Sequence, residues 1–292
     1  MASPTMGIQK AKHLYLEMDK KKPAIDSIYM MFEKHDGWFG YLDFPSCIIH
    51  SRAQREIPSV KELSDLIRSK RPQVKGRLIF EIMIEGYEVD RFHELNGILN
   101  RKNEQAEDVY LRVHDFIPDF QFCTMDAMTR YRYAEEIVHR LNLPQVRMSP
   151  LIGLSSKPAQ WQAEAEKIWQ RGGEGLILKD STALYEAGKR ISTLMKIKEE
   201  CTVEMLVLDV VEGTGDHEGM AGKLICKDKL GHKHEIGMGS ATHEERRVWF
   251  ADKELIKGQV VEIKAMKKLK DGSYREPRFK AIRYDKEVHE LG

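Results

Sequence analysis

The sequence predicts an α+β protein of two domains, the second a small β-barrel. Three observations carry this. A chain of 292 residues, at roughly 150 residues per domain, points to about two domains, each able to bury its own core. Up to about residue 200, short apolar segments punctuated by glycine and proline alternate with helical stretches. Beyond Cys201 the chain turns to closely spaced short strands with a single helix among them. The domains are therefore placed at residues 1–200 and 201–292.

Residues 25–57 alternate apolar and polar segments around Gly37, Gly40 and Pro45, the pattern of short antiparallel strands. Val60 to Ser69 sets Leu63, Leu66 and Ile67 on one helical face. Leu78 to Ile84 and Val109 to Phe116 are apolar enough for buried strands. Pro158 to Arg171 reads as a helix, with proline at its start and Gly172-Gly173 after its end. Gly175 to Leu178 and Leu194 to Ile197 follow as strands. In the second domain Val203–Val211, Lys223–Cys226, Lys233–Met238 and Gln259–Ala265 read as strands, with a helix over His243–Lys253. Short strands and one helix in this span suit a Greek-key barrel such as an OB-fold.

Composition excludes several classes. No run of some 18 apolar residues is present, so no membrane span is expected. The start, MASPTMGIQKAKH, lacks the apolar run of a secretory signal. Cys47, Cys123, Cys201 and Cys226 form no C-x-x-C pair, which argues against a disulfide framework or a thiolate zinc site. A soluble, cytoplasmic protein is expected. The net charge of +1 at first opposes nucleic-acid binding, but its distribution does not. Lys257 to Lys286 holds ten basic and four acidic residues, a local +6 that leaves the remainder at −5.

Several constellations can carry chemistry. Lys34-His35-Asp36-Gly37 follows an apolar strand; a lysine fixed at a strand end becomes a nucleophile where neighbouring cations favour its neutral form. In isolation, an Asp-Gly surface turn explains the same residues. Glu174 and Lys179 bracket the strand Gly175–Leu178. Lys196 and Lys198 share one strand face, with Met195 and Ile197 on the other. Paired lysines beside carboxylates suit a phosphate chain with a bound divalent cation. Glu81 interrupts the apolar run Leu78–Ile84, where a charge needs a partner, a metal or a cleft. Arg283, Asp285 and Lys286 form R-x-D-K inside the basic block. Two other groupings carry less. Cys226, His232, His234 and His243 match no standard ligand spacing, and the loop Gly213–Gly219 lacks the Lys-Ser/Thr ending of a phosphate-binding loop.

In order, K-x-D-G at 34–37, Glu81, E-G-x-x-x-K at 174–179, K-x-K at 196–198 and the terminal R-x-D-K resemble the covalent nucleotidyltransferase superfamily of DNA ligases, RNA ligases and mRNA-capping enzymes. Ser51-Arg52, Tyr185–Arg190 leading into the K-x-K strand, and Arg275–Lys286 are most similar to the ATP-dependent DNA ligases, of the minimal phage, viral or bacterial type. The resemblance spans residues ~25 to 286. It implies a nucleotidyltransferase domain of antiparallel sheets with helices (an ATP-grasp-like ligase domain) followed by the OB barrel.

The resemblance also implies roles. Lys34 would attack the α-phosphate of ATP and carry AMP. Lys179, Lys196 and Lys198 would surround the phosphate. Glu81 and Glu174 would contact Mg²⁺ or Mn²⁺, Glu81 also the ribose. His114 would stack on adenine, with Phe32 at its edge. Arg52 would hold the AMP phosphate and the 5′-phosphate of a nick. Arg283, Asp285 and Lys286 would orient pyrophosphate. Lys189, Arg190, Lys267, Lys268 and Lys270, with Arg52, would contact DNA. Nicked double-stranded DNA is the implied partner, bound by a monomer. Three positions depart from the family pattern. Phe39 stands where K-x-D-G-x-R has arginine, leaving Arg55 or Arg77 to substitute; the usual D-G-E reads Ile79-Phe80-Glu81; and His114 replaces an aromatic, with an added pH dependence expected. An RNA ligase or capping guanylyltransferase is the alternative enzyme, and a non-catalytic OB-fold DNA-binding protein the alternative of another class.

Overall fold

The computed structural model describes residues 8–14, 27–44, 46–86, 92–118, 123–268 and 271–286. The chain divides into two compact units, residues 1–198 and 199–292. The first begins with β1 (Lys10–His13), β2 (Tyr29–Glu33), β3 (Trp38–Phe44), β4 (Ile48–Ser51), α1 (Lys61–Ser69), β5 (Gly76–Ile84) and α2 (Phe92–Leu99). It continues with β6 (Val109–Pro118), α3 (Ala127–Leu141), β7 (Val146–Met148), β8 (Leu151–Ser155), α4 (Pro158–Gln170), β9 (Gly175–Asp180) and β10 (Arg190–Lys198).

These strands form two five-stranded sheets, ordered β1-β10-β9-β2-β8 and β4-β3-β5-β6-β7. The sheets are mixed, not wholly antiparallel as expected: β1 runs parallel to β10, and β7 parallel to β6. One core lies on the second sheet, where α1, α2 and α3 cover Leu42, Leu78, Phe80, Ile82 and Leu111. Another lies under α4, whose Trp161 packs edge-on against Tyr29 of β2. α3 touches both sheets, through Tyr131 against Phe32 of β2 and through Arg130 against Asp115 of β6.

The expected helix over 60–69 exists, but Leu66 is exposed; Leu63 and Ile67 alone of the three face the core. Five elements of this unit had no reading in the sequence: β1, α2, α3, β7 and β8. α3 is well signalled in hindsight. Asp126 caps it through the Thr129 N–H, and Ala127, Arg130, Tyr131, Ala134, Ile137 and Leu141 keep helical spacing on its buried face.

The second unit contains β11 (Cys201–Glu212), β12 (Ala221–Lys227), β13 (Lys233–Gly237), α5 (His243–Ala251), β14 (Val260–Ala265), β15 (Lys267–Lys268), β16 (Tyr274–Arg275) and β17 (Arg278–Ile282). Five of these close a barrel in the order β11-β12-β13-β17-β14, with β14 returning to β11. The helix α5 lies between the third and fourth barrel strands in sequence, as an OB-fold requires. A capping box of Thr242 and Glu245 starts α5, and its Trp249 packs edge-on against Phe279 of β17. The glycine-rich segment after β11 is a turn between strands, and all four cysteines are free. No helix among the described residues is long and apolar enough to cross a membrane.

Candidate active site

Between the two sheets of the first unit lies a cleft, and the strand alternation of β9 and β10 decides what faces it. Leu176, Leu178, Met195 and Ile197 point into the core under α4, so Ile177, Lys179, Leu194, Lys196 and Lys198 point into the cleft. Lys34 enters from the end of β2, which pairs with β9. Its backbone N–H donates to the carbonyl of Gly175 at 2.8 Å, tying the K-x-D-G segment to the E-G segment. Only glycine serves at 175. Its φ is +149°, and a Cβ there would lie 2.1 Å from the Ile197 carbonyl oxygen.

Glu174 sits between the two lysine motifs. Its Oε2 lies 2.5 Å from Lys34 Nζ and its Oε1 2.7 Å from Lys198 Nζ. Lys196, on the same face, is held below the usual lysine range, first by burial and then by Lys198 and Lys34. Three ammonium groups and one carboxylate therefore converge, which makes the spot electropositive and suited to a phosphate.

Lys179 is differently occupied. Its ammonium is buried, donating to the His114 carbonyl and to Asp115 Oδ2, both at 2.9 Å. Asp115 also receives Arg130 Nε at 3.0 Å. Burial alone would raise the Asp115 carboxyl, but Lys179 and Arg130 outweigh it and hold it at about 2. Burial lowers Lys179, against the opposing pull of Asp115. Lys179 lines the cleft, but its ammonium is anchored to β6 rather than projecting into open space.

The opposite wall comes from the second sheet. Glu81 of β5 lies across the ladder from Phe39 of β3, and burial pushes its carboxyl up to about 8 against the pull of Lys34 and Arg52. The guanidinium of Arg52 stacks over the Phe39 ring at 4.8 Å. Neither residue suggested to replace the missing arginine lines the cleft: Arg55 is exposed, and Arg77 bonds Asp43 at 3.0 Å and lies over Tyr41. His114 lines the cleft near Phe39, and burial, aided by Lys179, depresses its imidazole to about 3. Its ring is neutral near pH 7, so the pH dependence expected from it does not arise there. Phe32 lines the floor with the Lys179 ammonium 5.7 Å from its ring centroid.

Further residues complete the cleft. His35 is depressed to about 3, chiefly by burial and then by Arg112, and lies 3.3 Å from the Ser149 hydroxyl. Tyr185 accepts from the Gln9 N–H at 2.9 Å, so β1 and the segment before β10 form one edge of the cleft. Arg190, assigned above to DNA, lines this edge and donates to the Ala11 carbonyl at 2.7 Å, whereas Lys189 is exposed and paired with Glu186.

In the barrel, Arg283 and Asp285 pair through two bonds of 2.9 and 2.7 Å. Glu204 of β11 joins them, accepting from Arg283 at 2.5 Å and from Lys286 at 2.7 Å. Lys268 is exposed, with its ammonium 5.4 Å from the Tyr274 ring centroid. Lys267 lies in β15, its side chain outside the described residues, as is all of Lys270. Among the described residues, no group of three His, Cys, Asp or Glu could hold a metal unaided.

Comparison with known proteins bears on this arrangement. Residues 212–283 match the DNA ligase OB-like domain family. The DNA ligase of Haemophilus influenzae is 26% identical over 228 residues, 75% of each chain. Other curated relatives are probable DNA ligases, and the segments this chain shares with them span only 11–16% of their lengths. Among solved structures, a Lig E DNA ligase aligns with a TM-score of 0.76 at 22% identity, over 95% of this chain and 99% of its own. The ATP-dependent DNA ligase of bacteriophage T7, in complex with ATP, aligns with a TM-score of 0.55 at 18% identity, over 96% and 99%. Residues 212–283 are thus similar to the OB-like domain of DNA ligases, and the two-part fold is the one these ligase structures share.

Proposed function

We propose that this chain is an ATP-dependent DNA ligase that seals nicks in duplex DNA through a lysine–AMP intermediate. The single observation that carries the reading is Glu174 bridging Lys34 and Lys198 at an electropositive cleft. A carboxylate 2.5 Å from Nζ is within reach to accept the lysine proton. The neutral amine then attacks the α-phosphorus of ATP: the P–N bond forms, the bond to the bridging oxygen breaks, and pyrophosphate leaves. Lys196 and Lys198 stabilise the charge that develops on the phosphoryl oxygens. His114, neutral and beside Phe39, stacks on the adenine, with Phe32 below. Arg52 first holds the AMP phosphate.

Arg52 then receives the 5′-phosphate of the nick. An oxygen of that phosphate attacks the adenylate, breaking the P–N bond and restoring Lys34. The adjacent 3′-hydroxyl displaces AMP and closes the phosphodiester. Arg283, Asp285 and Lys286 orient pyrophosphate in the first step, and Lys189, Lys267, Lys268 and Lys270 contact the duplex backbone. The chain acts as a monomer in this reading.

The donor set fits a divalent cation. Glu81 lines the cleft and would offer a hard oxygen ligand, Glu174 would do so by exchanging Lys34 or Lys198 for the ion, and Mg²⁺ characteristically shares its shell between one or two carboxylates and substrate phosphates. Such an ion would supply charge opposite the triphosphate, and Glu81 would release its proton to bind it.

The test is sealing of a labelled nicked DNA duplex with ATP and Mg²⁺, beside nicked RNA and GTP. The reading expects sealing of nicked DNA with ATP. A covalent adduct formed only with GTP would instead favour a capping-type guanylyltransferase, and sealing confined to RNA an RNA ligase.

A further inference from the structure

We propose that Glu204 is a positioning residue for lysine adenylation, holding the cations of R-x-D-K ready for the departing pyrophosphate. The proposal rests on the ligase reading above. Like Glu81, Glu204 is a charge within an apolar strand: it sits in β11 between Val203 and Met205-Leu206-Val207. Its side chain is 10% exposed, against 28% for Arg283 and 30% for Lys286. The carboxylate is therefore the inner anchor, and the two cations are the outer, accessible partners.

The strand ladder explains why this anchor attracts cations. In the β11·β14 pairing, Glu204 stands directly opposite Glu262. Like charges facing across a ladder are unfavourable unless each is neutralised. Glu262 is met by Lys280 at 2.8 Å, while Glu204 divides its two oxygens between Arg283 and Lys286. The backbone cooperates. Arg283 N donates to the Val260 carbonyl at 2.8 Å and Lys286 N to the Arg283 carbonyl at 3.1 Å, folding the segment back towards β11.

The consequence is geometric. Asp285 engages Nε and Nη2 of Arg283, and Glu204 engages Nη1. With three nitrogens fixed, the guanidinium plane is set before any ligand arrives. Lys286 shares the same carboxylate, so its ammonium is fixed relative to that plane. Without Glu204 both side chains regain rotamer freedom, which must be removed again when a ligand binds. The remaining N–H donors of Arg283 and Lys286, held at a fixed separation, suit the oxygens of a polyphosphate, whose charge is greatest when the α-phosphorus–oxygen bond breaks and pyrophosphate departs with the electron pair. Transfer of AMP to the nick and its displacement by the 3′-hydroxyl release no pyrophosphate, so they do not need this arrangement.

The experiment separates the steps on the full chain. Wild type, Glu204→Ala and Glu204→Gln are compared for Lys34 adenylation by ATP, for sealing of a pre-adenylated nick, and for thermal unfolding. The expected result is a loss of about 10²-fold in adenylation rate for Glu204→Ala, the size of effect a misplacement of about 1 Å produces. Sealing of the pre-adenylated nick stays within about twofold. Glu204→Gln, which keeps the shape and loses the charge, falls between, and serves as the reading should the alanine variant unfold. A folded variant that adenylates at the wild-type rate overturns the proposal, as does one that loses both activities in equal measure. If wild type itself takes no label from ATP, the ligase reading fails instead.

Discussion

The ammonium of Lys34 lies 2.5 Å from one oxygen of Glu174, whose other oxygen lies 2.7 Å from Lys198. One carboxylate thus links the K-x-D-G, E-G and K-x-K segments, which are far apart in sequence. It places a proton acceptor on the nucleophile and aims a second cation at the same point. Most of the chemistry proposed here depends on that bridge.

Replacing Glu174 should therefore harm adenylation more than folding. Glu174→Ala removes the acceptor next to Nζ, and a positioned general base contributes typically about 10²–10⁴-fold. We expect adenylation of Lys34 to fall by at least about 10²-fold, measured as label retained from ATP. An unchanged rate in a folded variant would refute the role of proton acceptor.

Gly175 holds the nucleophile by its backbone. Its carbonyl accepts from Lys34 N–H at 2.8 Å, and its φ of +149° excludes other residues. Gly175→Ala would set Cβ against the Ile197 carbonyl, and we expect a loss of about 3 kcal/mol or more in urea unfolding. A variant as stable as wild type would show that the β9·β10 backbone yields more easily than its close approach implies.

The buried Asp115–Arg130–Lys179 cluster supports the cleft from behind. Removing Arg130 leaves Asp115 with Lys179 alone, and breaking a buried pair costs about 3–5 kcal/mol. Arg130→Met should approach the lower end of that range. The double change with Asp115→Asn should cost less than the two single changes together, because it leaves Lys179 as one buried cation without its carboxylate where Asp115→Asn alone leaves both Lys179 and Arg130. Additive losses in denaturant titrations would contradict the coupling.

His114 gives a pH prediction whose sign is fixed. Unfolded, its imidazole titrates near 6.5; folded, burial and Lys179 depress it to about 3. Acid thus favours the unfolded chain, which binds the proton more readily. The contribution is complete above about 6.5 and is lost as pH falls towards 3. His114→Phe should reduce the protons taken up on unfolding by about one across that window and leave stability above pH 7 to packing alone. An acid limb of unchanged slope in a pH series of thermal melts would contradict the buried, neutral ring. His35, depressed to about 3 as well, should persist in the variant and keep part of the slope.

Much of this site was legible in the sequence because its chemistry requires charged residues where a strand wants apolar ones. Glu81, Lys196 and Lys198 stand out for that reason, and strand alternation alone turns the two lysines to one side. Lys34 was legible through its glycine-bearing turn. Long-range partners were not. Nothing local announces that Lys179 reaches Asp115, or that Arg190 bonds β1. α3 escaped notice because its buried face carries Arg130, which reads as a surface residue until Asp115 is known to lie beneath it. The parallel pairings of β1 and β7 depend on partners distant in the chain, which strand periodicity cannot supply. Glu204 carries the same signal as Glu81, a charge inside an apolar strand, but its partners lie 79 and 82 residues further on.

Covalent labelling of Lys34 tests the lysine–AMP intermediate directly. Wild type and Lys34→Ala are incubated with ATP labelled at the α-phosphate and Mg²⁺, and sealing of a pre-adenylated nick is measured in parallel. An acid-labile adduct is expected on wild type and none on Lys34→Ala, with sealing of the pre-adenylated nick by both. An adduct on Lys34→Ala, or ATP-driven sealing by it, would contradict the central claim.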